Sequence, residues 1–377
     1  MTQLYTREIV QSLEKWMDSR EILIIYGTRQ VGKSTLLDML LGDRNDAVIL
    51  NCERPLIFEI LQSRDLSKIK ALFGDKRIIA LDEAQSVTGI GQTLKLVYDE
   101  EPGYKLIVTG SSSFELSDRI TEPLTGRNIK FRLYPLSVKE IMAHKSWLWI
   151  MENLKELIAY GCYPGIIDLP VEKKKIKLEE MVGDYLFKDI LIHEGIKQSG
   201  LLFKLLQLIA YQIGNLTSAH ELSKELGVSV PTINRFLDLL EKTFVIYPLS
   251  SYSSNLRNEI RKSKKYYFYD TGICNAVIGN FGLIDNQKHV GSLWENFCVS
   301  ERIKFNQIHN RHAKLYFWRT YDGAEVDLVE VFNGNLNTFE FKWNARKKPS
   351  LPTSFKEKYH KNTFQVIHPG NFQLLFE

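Results

Sequence analysis

Gly27-Thr28-Arg29-Gln30-Val31-Gly32-Lys33-Ser34 stands between an apolar run, Ile22 to Tyr26, and a helix-forming stretch, Thr35 to Leu41. The octet satisfies the G-x-x-x-x-G-K-[ST] pattern without a substitution, and its strand-then-helix setting is the one that pattern needs. Backbone N–H groups of residues 28 to 34, helped by the N-terminus of the following helix, would wrap a chain of phosphates. Lys33 would reach the β- and γ-phosphates, and the Ser34 hydroxyl would bind Mg²⁺. With Thr35 these residues form the expected nucleotide-binding stretch.

Further strands are legible outward from the loop. Val48 to Cys52 is one. Ile78 to Glu83 is a second, apolar over its first four residues and ending in two carboxylates, and Leu106 to Ser112 is a third. Together with a short helix over Glu8 to Met17, they describe a parallel sheet with its ligand at the carboxyl edge. Neighbouring residues on a strand tip point in different directions. Asp82 can therefore hold the metal through water while Glu83 polarises the attacking water. Ser111 or Ser112 would report the γ-phosphate from the adjacent strand. Arg119 and Arg127 follow that strand, and a guanidinium beside a triphosphate stabilises charge developing in the transfer, even when a neighbouring copy supplies it. The plain alternative for Arg127 is a surface salt bridge.

The chain has 377 residues, enough for two or three domains, and its 44% hydrophobic and 25% charged content is that of an ordinary globular protein. A net charge of +4 permits a nucleic-acid partner without arguing for one. The four cysteines, Cys52, Cys162, Cys274 and Cys298, lack metal-site spacing and read as reduced, buried thiols. Met1 to Lys15 has no apolar signal core. No run approaches the ~18 apolar residues a membrane span requires. A cytoplasmic location is expected.

In the middle, Glu152 to Tyr160 is helical and breaks at Gly161-Cys162-Tyr163-Pro164-Gly165, a fixed turn. Val171 to Lys177 starts a helix with four lysines, read as a solvated face. Ser218 to Gly227 reads as a helix closed by glycine. Val230 to Lys242 is a second helix, with Pro231 in its first turn and Ile233, Phe236, Leu237 and Leu240 at helical spacing. Strand candidates at Phe244 to Tyr247 and Tyr266 to Tyr269 complete a winged helix-turn-helix. Thr232, Asn234 and Arg235 on its second helix are candidate DNA contacts. Arg257 to Lys265 adds five basic residues in a wing-like position that would meet phosphates. The alternative is a protein-contact module.

Toward the C-terminus, Leu293 to Val299 opens a helix with Glu295 in its early turns. Leu315 to Trp318 is a strand. The Asp322-Gly323 turn leads into Ala324 to Val329, with Glu325 and Asp327 on one face. Thr338 to Lys342 puts Glu340 and Lys342 on one face of the next strand, and Phe364 to Ile367 is a later one. Asp327 and Glu340 would share a second divalent metal, Lys342 would orient water, and Glu295 would complete the cluster.

The first part resembles the AAA+ superfamily of P-loop ATPases, and more narrowly the bacterial and archaeal ATPases with a DUF4143-type C-terminal region. The matching pieces are Tyr26 to Ser34, Leu81-Asp82-Glu83-Ala84-Gln85, Thr109-Gly110-Ser111-Ser112, Leu124-Thr125-Gly126-Arg127, and Tyr134-Pro135-Leu136-Ser137 followed by Glu140. Gly161-Cys162-Tyr163-Pro164 matches as well. The resemblance implies ATP with Mg²⁺, a Walker B pair at Asp82 and Glu83, and a sensor at Ser111 or Ser112. It makes Arg127 the leading finger arginine, with Arg119 in reserve. The last part is similar to the PD-(D/E)xK nuclease core, with Glu295, Asp327, Glu340 and Lys342 as its quartet. The expected architecture is multidomain α/β. An AAA+ ATPase domain (1–145) is followed by a helical and winged-helix section (146–270) and a restriction-endonuclease-like domain (271–377). The expected function is Mg²⁺-dependent ATP hydrolysis whose nucleotide state controls a nucleic-acid-directed C-terminal domain. A nucleotide-gated protein-interaction switch with an inactive nuclease-like domain and an ATP-regulated metal-dependent DNA nuclease are the alternatives. Partners under these readings are ATP, DNA, and a second copy or another protein, with no membrane.

Overall fold

Five strands, β1 (Ile22–Gly27), β2 (Ala47–Asn51), β3 (Ile78–Asp82), β4 (Lys105–Gly110) and β5 (Asn128–Leu133), run parallel in the order β2-β3-β4-β1-β5. Parallel strands need crossovers, and the sequence supplies helices Lys33–Leu41, Pro55–Ser63, Leu66–Phe73 and Ile90–Glu100 between them. Covered on both faces, β3 and β4 are buried along their whole length. Ile22, Ile24, Leu50, Ile79, Leu81, Leu106 and Val108 pack in one core with Leu61, Ile69, Phe73 and Leu94 from the helices. Local signals set the helix ends: Pro55 lies in the first turn of one helix, and the Asp65 carboxylate caps Ser67 N and Lys68 N of the next.

The computed structural model describes residues 4–110, 123–184, 199–253, 264–282 and 287–377. They divide into two compact units, one comprising residues 6–134 with 242–244, the other the remainder of the described chain. The expected strands after the loop all form. Ser111, Ser112 and Arg119, as well as Arg257 to Ser263 of the basic stretch, lie outside the described residues.

The second unit is built on one seven-stranded mixed sheet, in the order β12-β11-β10-β9-β7-β8-β6. Its strands are β6 (Leu216–Thr217), β7 (Ile246–Ser251), β8 (Lys264–Phe268), β9 (Lys314–Arg319), β10 (Glu325–Phe332), β11 (Asn335–Phe341) and β12 (Asn362–Ile367). Helices Ala219–Leu226 and Val230–Lys242 follow β6, and β8 pairs antiparallel with both β6 and β7. The first of these helices is capped by the Ser218 hydroxyl and ends at Gly227, whose φ of 66° is left-handed. Ile233, Phe236, Leu237 and Leu240 of the second are buried, as their spacing predicts. β7 then pairs parallel with β9 through Ser250–Tyr316 and Ser251–Phe317. The segments expected as separate parts on either side of residue 270 thus share one sheet.

Helix Gln287–Ile308 packs on this sheet through Trp294, which is fully buried against Phe372 and Trp343. Arg302 on the same helix holds Glu330 of β10 through two bonds of 2.7 Å. The helix begins earlier than the sequence reading placed it, so Glu295 is its ninth residue, not one of its first turns. The lysine-rich helix, Val171–Asp184, is also not a uniformly solvated face. Lys174 is buried and bonds Glu156 at 2.5 Å and the Ile167 carbonyl at 2.6 Å. Asp270 explains the Gly161 turn: its carboxylate accepts from Cys162 N at 2.7 Å, and a Cβ on Gly161 would lie 1.9 Å from Asp270 Oδ1.

Candidate functional site

The loop follows β1 at the carboxyl edge of the parallel sheet. Gly27 is glycine because a Cβ there would meet the Leu133 carbonyl of β5 at 2.2 Å, and Gly32 turns the chain into the helix with a φ of 96°. Val31 is fully buried, and its carbonyl accepts from Arg7 Nη1 at 3.0 Å, while Arg7 Nη2 donates to the Tyr134 carbonyl at 2.6 Å. The sequence reading did not single out Arg7. It ties the loop to the end of the neighbouring strand from 24 and 127 residues away. The Lys33 ammonium, buried at 4% exposure, donates to the Gly27 and Thr28 carbonyls at 3.2 and 3.1 Å. These are bonds to neutral acceptors at the lip of the loop, ready to be exchanged for anionic phosphate oxygens.

At the tips of β3 and β4 the acids fall into distinct places. Ser34 Oγ donates to Asp82 Oδ2 at 2.7 Å, so the hydroxyl and the carboxylate already face one point. That donor set fits Mg²⁺, a hard cation that takes a few protein oxygens along with phosphate and water. Thr109, fully buried on β4, donates its hydroxyl to Asp82 Oδ1 and accepts the Glu83 N–H at 3.1 Å. Glu83 itself has a φ of 52°, a left-handed conformation uncommon for a residue with a side chain. Its carboxylate accepts from Gln85 Nε2. Asp82 and Glu83 thus have different hydrogen-bond partners, Ser34 and Thr109 for the one and Gln85 for the other. Thr109 was legible only as part of a matching stretch; the structure gives it a specific task. Cys52 also borders these acids, and burial followed by the charges of Asp82 and Glu83 pushes its thiol up to about 12, so it stays protonated.

Arg127 is not brought to this loop. Ile22 N bonds the Arg127 carbonyl, so Arg127 sits at the start of β1 and β5, about 17 Å of strand from Gly27 at roughly 3.3 Å per residue. Its guanidinium pairs with Asp99 at 2.9 and 3.3 Å. The surface-salt-bridge reading describes what is seen.

The C-terminal quartet is gathered within the second unit, with one residue the sequence reading assigned elsewhere. Asp327 lies where β10 breaks register against β9 between Val326 and Val329, a bulge that turns the carboxylate inward. It accepts the Phe341 N–H at 2.8 Å and faces Lys342 Nζ at 3.6 Å. Lys342 also bonds Glu340 at 2.6 Å. Lys265, expected among basic residues meeting phosphates, instead points inward with its side chain 3% exposed. It bonds Glu295 at 3.0 Å and Glu325 at 2.5 Å. Tyr267, two residues along β8 on the same face, donates to Glu295 at 2.6 Å. Burial pushes the Glu295 carboxyl up to about 7, with the Asp327 charge adding to the rise and Lys265 opposing it. Burial and the Asp327 charge also raise Glu340. Burial alone would lower Lys265, but Glu295, Glu325 and Asp327 hold it above its ordinary value.

Among the described residues, no group of three His, Cys, Asp or Glu side chains is placed to hold a metal ion. The quartet as folded does not fit a divalent cation, since its carboxylates are already engaged by Lys265, Lys342, Tyr267 and a backbone N–H. Beside it opens a groove of about 710 Å³ lined by Ser292, Glu295, Lys342, Trp343, Asn344 and Lys347, among others. On helix Val230–Lys242, Asn234 and Arg235 are exposed, whereas Thr232 is half-buried and shares a hydrogen bond with Ser229 at 2.9 Å.

A five-stranded parallel sheet with a phosphate loop after β1 and an acid pair at the tip of β3 defines a P-loop ATPase. Residues 19–142 match the AAA domain family, residues 290–376 match a domain of unknown function (DUF4143), and residues 151–283 match a second domain of unknown function (DUF8612). The chain is an AAA-type P-loop ATPase domain fused to a DUF4143 C-terminal domain. It is 27% identical to an uncharacterized protein of Mycobacterium tuberculosis over 97% of this chain and 80% of that one. An uncharacterized protein of Methanocaldococcus jannaschii is 25% identical over 87% of this chain and 76% of its own length. Among solved structures, the Walker-type ATPase of Pyrococcus abyssi is similar in fold, with a TM-score of 0.51 and 20% identity over 73% of this chain and 96% of that one. No helix among the described residues is long and apolar enough to cross a membrane.

Proposed function

We propose that this cytoplasmic protein hydrolyses ATP with Mg²⁺ and uses its nucleotide state to control what the C-terminal domain holds, a nucleic acid. The observation that carries the ATPase reading is the hydrogen-bonded set Ser34, Asp82, Thr109 and Glu83 at the head of the phosphate loop. Bound Mg²⁺ would neutralise phosphate charge there, held by Ser34 and, through water, Asp82. Lys33 exchanges its loop carbonyls for β- and γ-phosphate oxygens. Glu83 releases Gln85 and accepts the proton of the attacking water as the water oxygen bonds the γ-phosphorus and the bond from that phosphorus to the β–γ bridging oxygen breaks, releasing ADP and phosphate. Ser111 or Ser112 would be the sensor of the γ-phosphate, as the family resemblance implies, and Arg127 would serve a second copy.

Support for a polyanionic partner comes from Trp343 and Lys347 on one groove, an ammonium-and-aromatic lining that suits a single strand, and from Asn234 and Arg235 on an exposed helix face. The test is twofold. Mg²⁺-dependent phosphate release from ATP, lost in Lys33→Ala, checks the first half. Binding of labelled DNA that weakens steeply with salt and differs between ATP and ADP checks the second. Phosphate release with no DNA affinity and a stable protein partner moves the reading to a protein-interaction switch. DNA cleavage with Mg²⁺ or Mn²⁺ that disappears in an Asp327→Ala, Glu340→Ala double variant makes the domain a nuclease.

A further inference from the structure

We infer that Lys265 supplies from within the chain the positive charge that a divalent cation would bring to the C-terminal acidic cluster, so this cluster is an ammonium-centred ion network and not a metal centre. The network is geometrically complete. The Lys265 side chain is 3% exposed, and its ammonium lies 3.0 Å from Glu295, on the long helix, and 2.5 Å from Glu325, on β10. It thus reaches carboxylates from two different elements, as a bound cation does. Glu325 is held on its other oxygen by Arg319 at 3.2 Å, and Glu295 also takes the Tyr267 hydroxyl. Lys342 performs the same service on the other side, 2.6 Å from Glu340 and 3.6 Å from Asp327. Two ammonium groups therefore lie among Glu295, Glu325, Asp327 and Glu340.

A Mg²⁺ or Mn²⁺ ion entering this cluster would have to approach a buried ammonium. Like charges repel far more strongly out of water than in it, so each ammonium opposes a cation at the place where the carboxylates would have to bind it. Expelling Lys265 is no easier, since its four-carbon stem is enclosed and the phenyl ring of Phe317 lies 5.7 Å from its ammonium. The acids remain together because Lys265, Lys342 and Arg319 offset most of their charge from within the chain. What the groove beside them binds is governed by Lys347, Trp343 and Asn344, with no metal bridge to the ligand.

The test uses the full chain stripped of nucleotide and metal, with Mn²⁺ as the probe followed by electron paramagnetic resonance. Wild type and Asp327→Asn are expected to give superimposable Mn²⁺ isotherms, any ion at the phosphate loop being common to both. One equivalent of Mn²⁺ present in wild type and missing in Asp327→Asn would overturn the inference. In Lys265→Met, which keeps the stem and removes the charge, one additional Mn²⁺ equivalent is expected, and it should disappear in Lys265→Met, Asp327→Asn. A folded Lys265→Met, judged by a retained cooperative melt, that gains no Mn²⁺ also overturns it. Should Lys265→Met fail to fold, the wild-type and Asp327→Asn isotherms decide the matter alone. These readouts need neither ATP nor DNA, so they stand or fall separately from the ATPase assays.

Discussion

Two buried lysines, Lys33 and Lys265, differ in the acceptors that hold them. Lys33 is bonded to the carbonyls of Gly27 and Thr28, which carry no net charge. Lys265 is bonded to the carboxylates of Glu295 and Glu325. The carbonyls around the first lysine are neutral groups that an incoming phosphate can replace; the second is held by carboxylates of the protein itself. A lysine near acids is therefore a ligand-binding group or an internal counter-ion according to whether its acceptors can be exchanged at little cost.

The largest expected effect falls on the first region. Glu83→Gln should keep ATP affinity and lose turnover by about 10²–10⁴-fold, the range for removing a general base. Steady-state phosphate release beside nucleotide-binding titration checks it, and turnover near wild type would take Glu83 out of the reaction. The second region should respond in stability. Lys265→Ala leaves Glu295, Glu325 and Asp327 facing one another with a buried counter-charge gone, and breaking such a pair costs about 3–5 kcal/mol. The melt of the second unit should fall accordingly, and adding Glu295→Gln should recover part of the loss. A melt unchanged in Lys265→Ala would show that Lys265 is not the counter-ion of these acids.

A smaller effect is expected from Thr109→Val. Losing the hydroxyl that joins Asp82 to Glu83 should lower kcat about tenfold, as removal of outer-shell partners does, with KM nearly unchanged and with recovery in Thr109→Ser. A change in KM alone would show that Thr109 supports binding and does not set the two acids. Smallest is Arg127→Ala. Its ion pair with Asp99 is about one-third exposed on both sides, so its loss should cost below about 1 kcal/mol. If Arg127 serves a second copy, a rise of specific turnover with protein concentration in wild type will be absent from the variant. Identical concentration profiles would leave it a surface pair.

The contrast also marks what the amino-acid sequence could reveal. The phosphate loop is legible because its chemistry resides in eight consecutive residues, and the acid pair because apolar runs announce strands. The quartet is half legible: alternation places Glu325 with Asp327 and Glu340 with Lys342, and the structure gathers them. Lys265 was misread because its role depends on which face of β8 it occupies and on acids 30 and 60 residues further on. In a run of basic residues it looks like its neighbours. Arg7 and Thr109 escaped for a related reason. Each acts through hydrogen bonds to residues at least 24 positions away, and no local pattern encodes such a bond.

The pairing of β7 with β9 bears on how this chain can be divided. The match to one domain family ends at residue 283 and the match to the next begins at residue 290, which invites a cut between them. Such a cut would separate Ser250 and Ser251 from Tyr316 and Phe317, and Lys265 from Glu295. Each fragment would carry an open strand edge, the kind that recruits other chains, and one would also retain acids stripped of their counter-ion. The two family segments therefore belong to one compact unit, and a cut between them would divide its sheet.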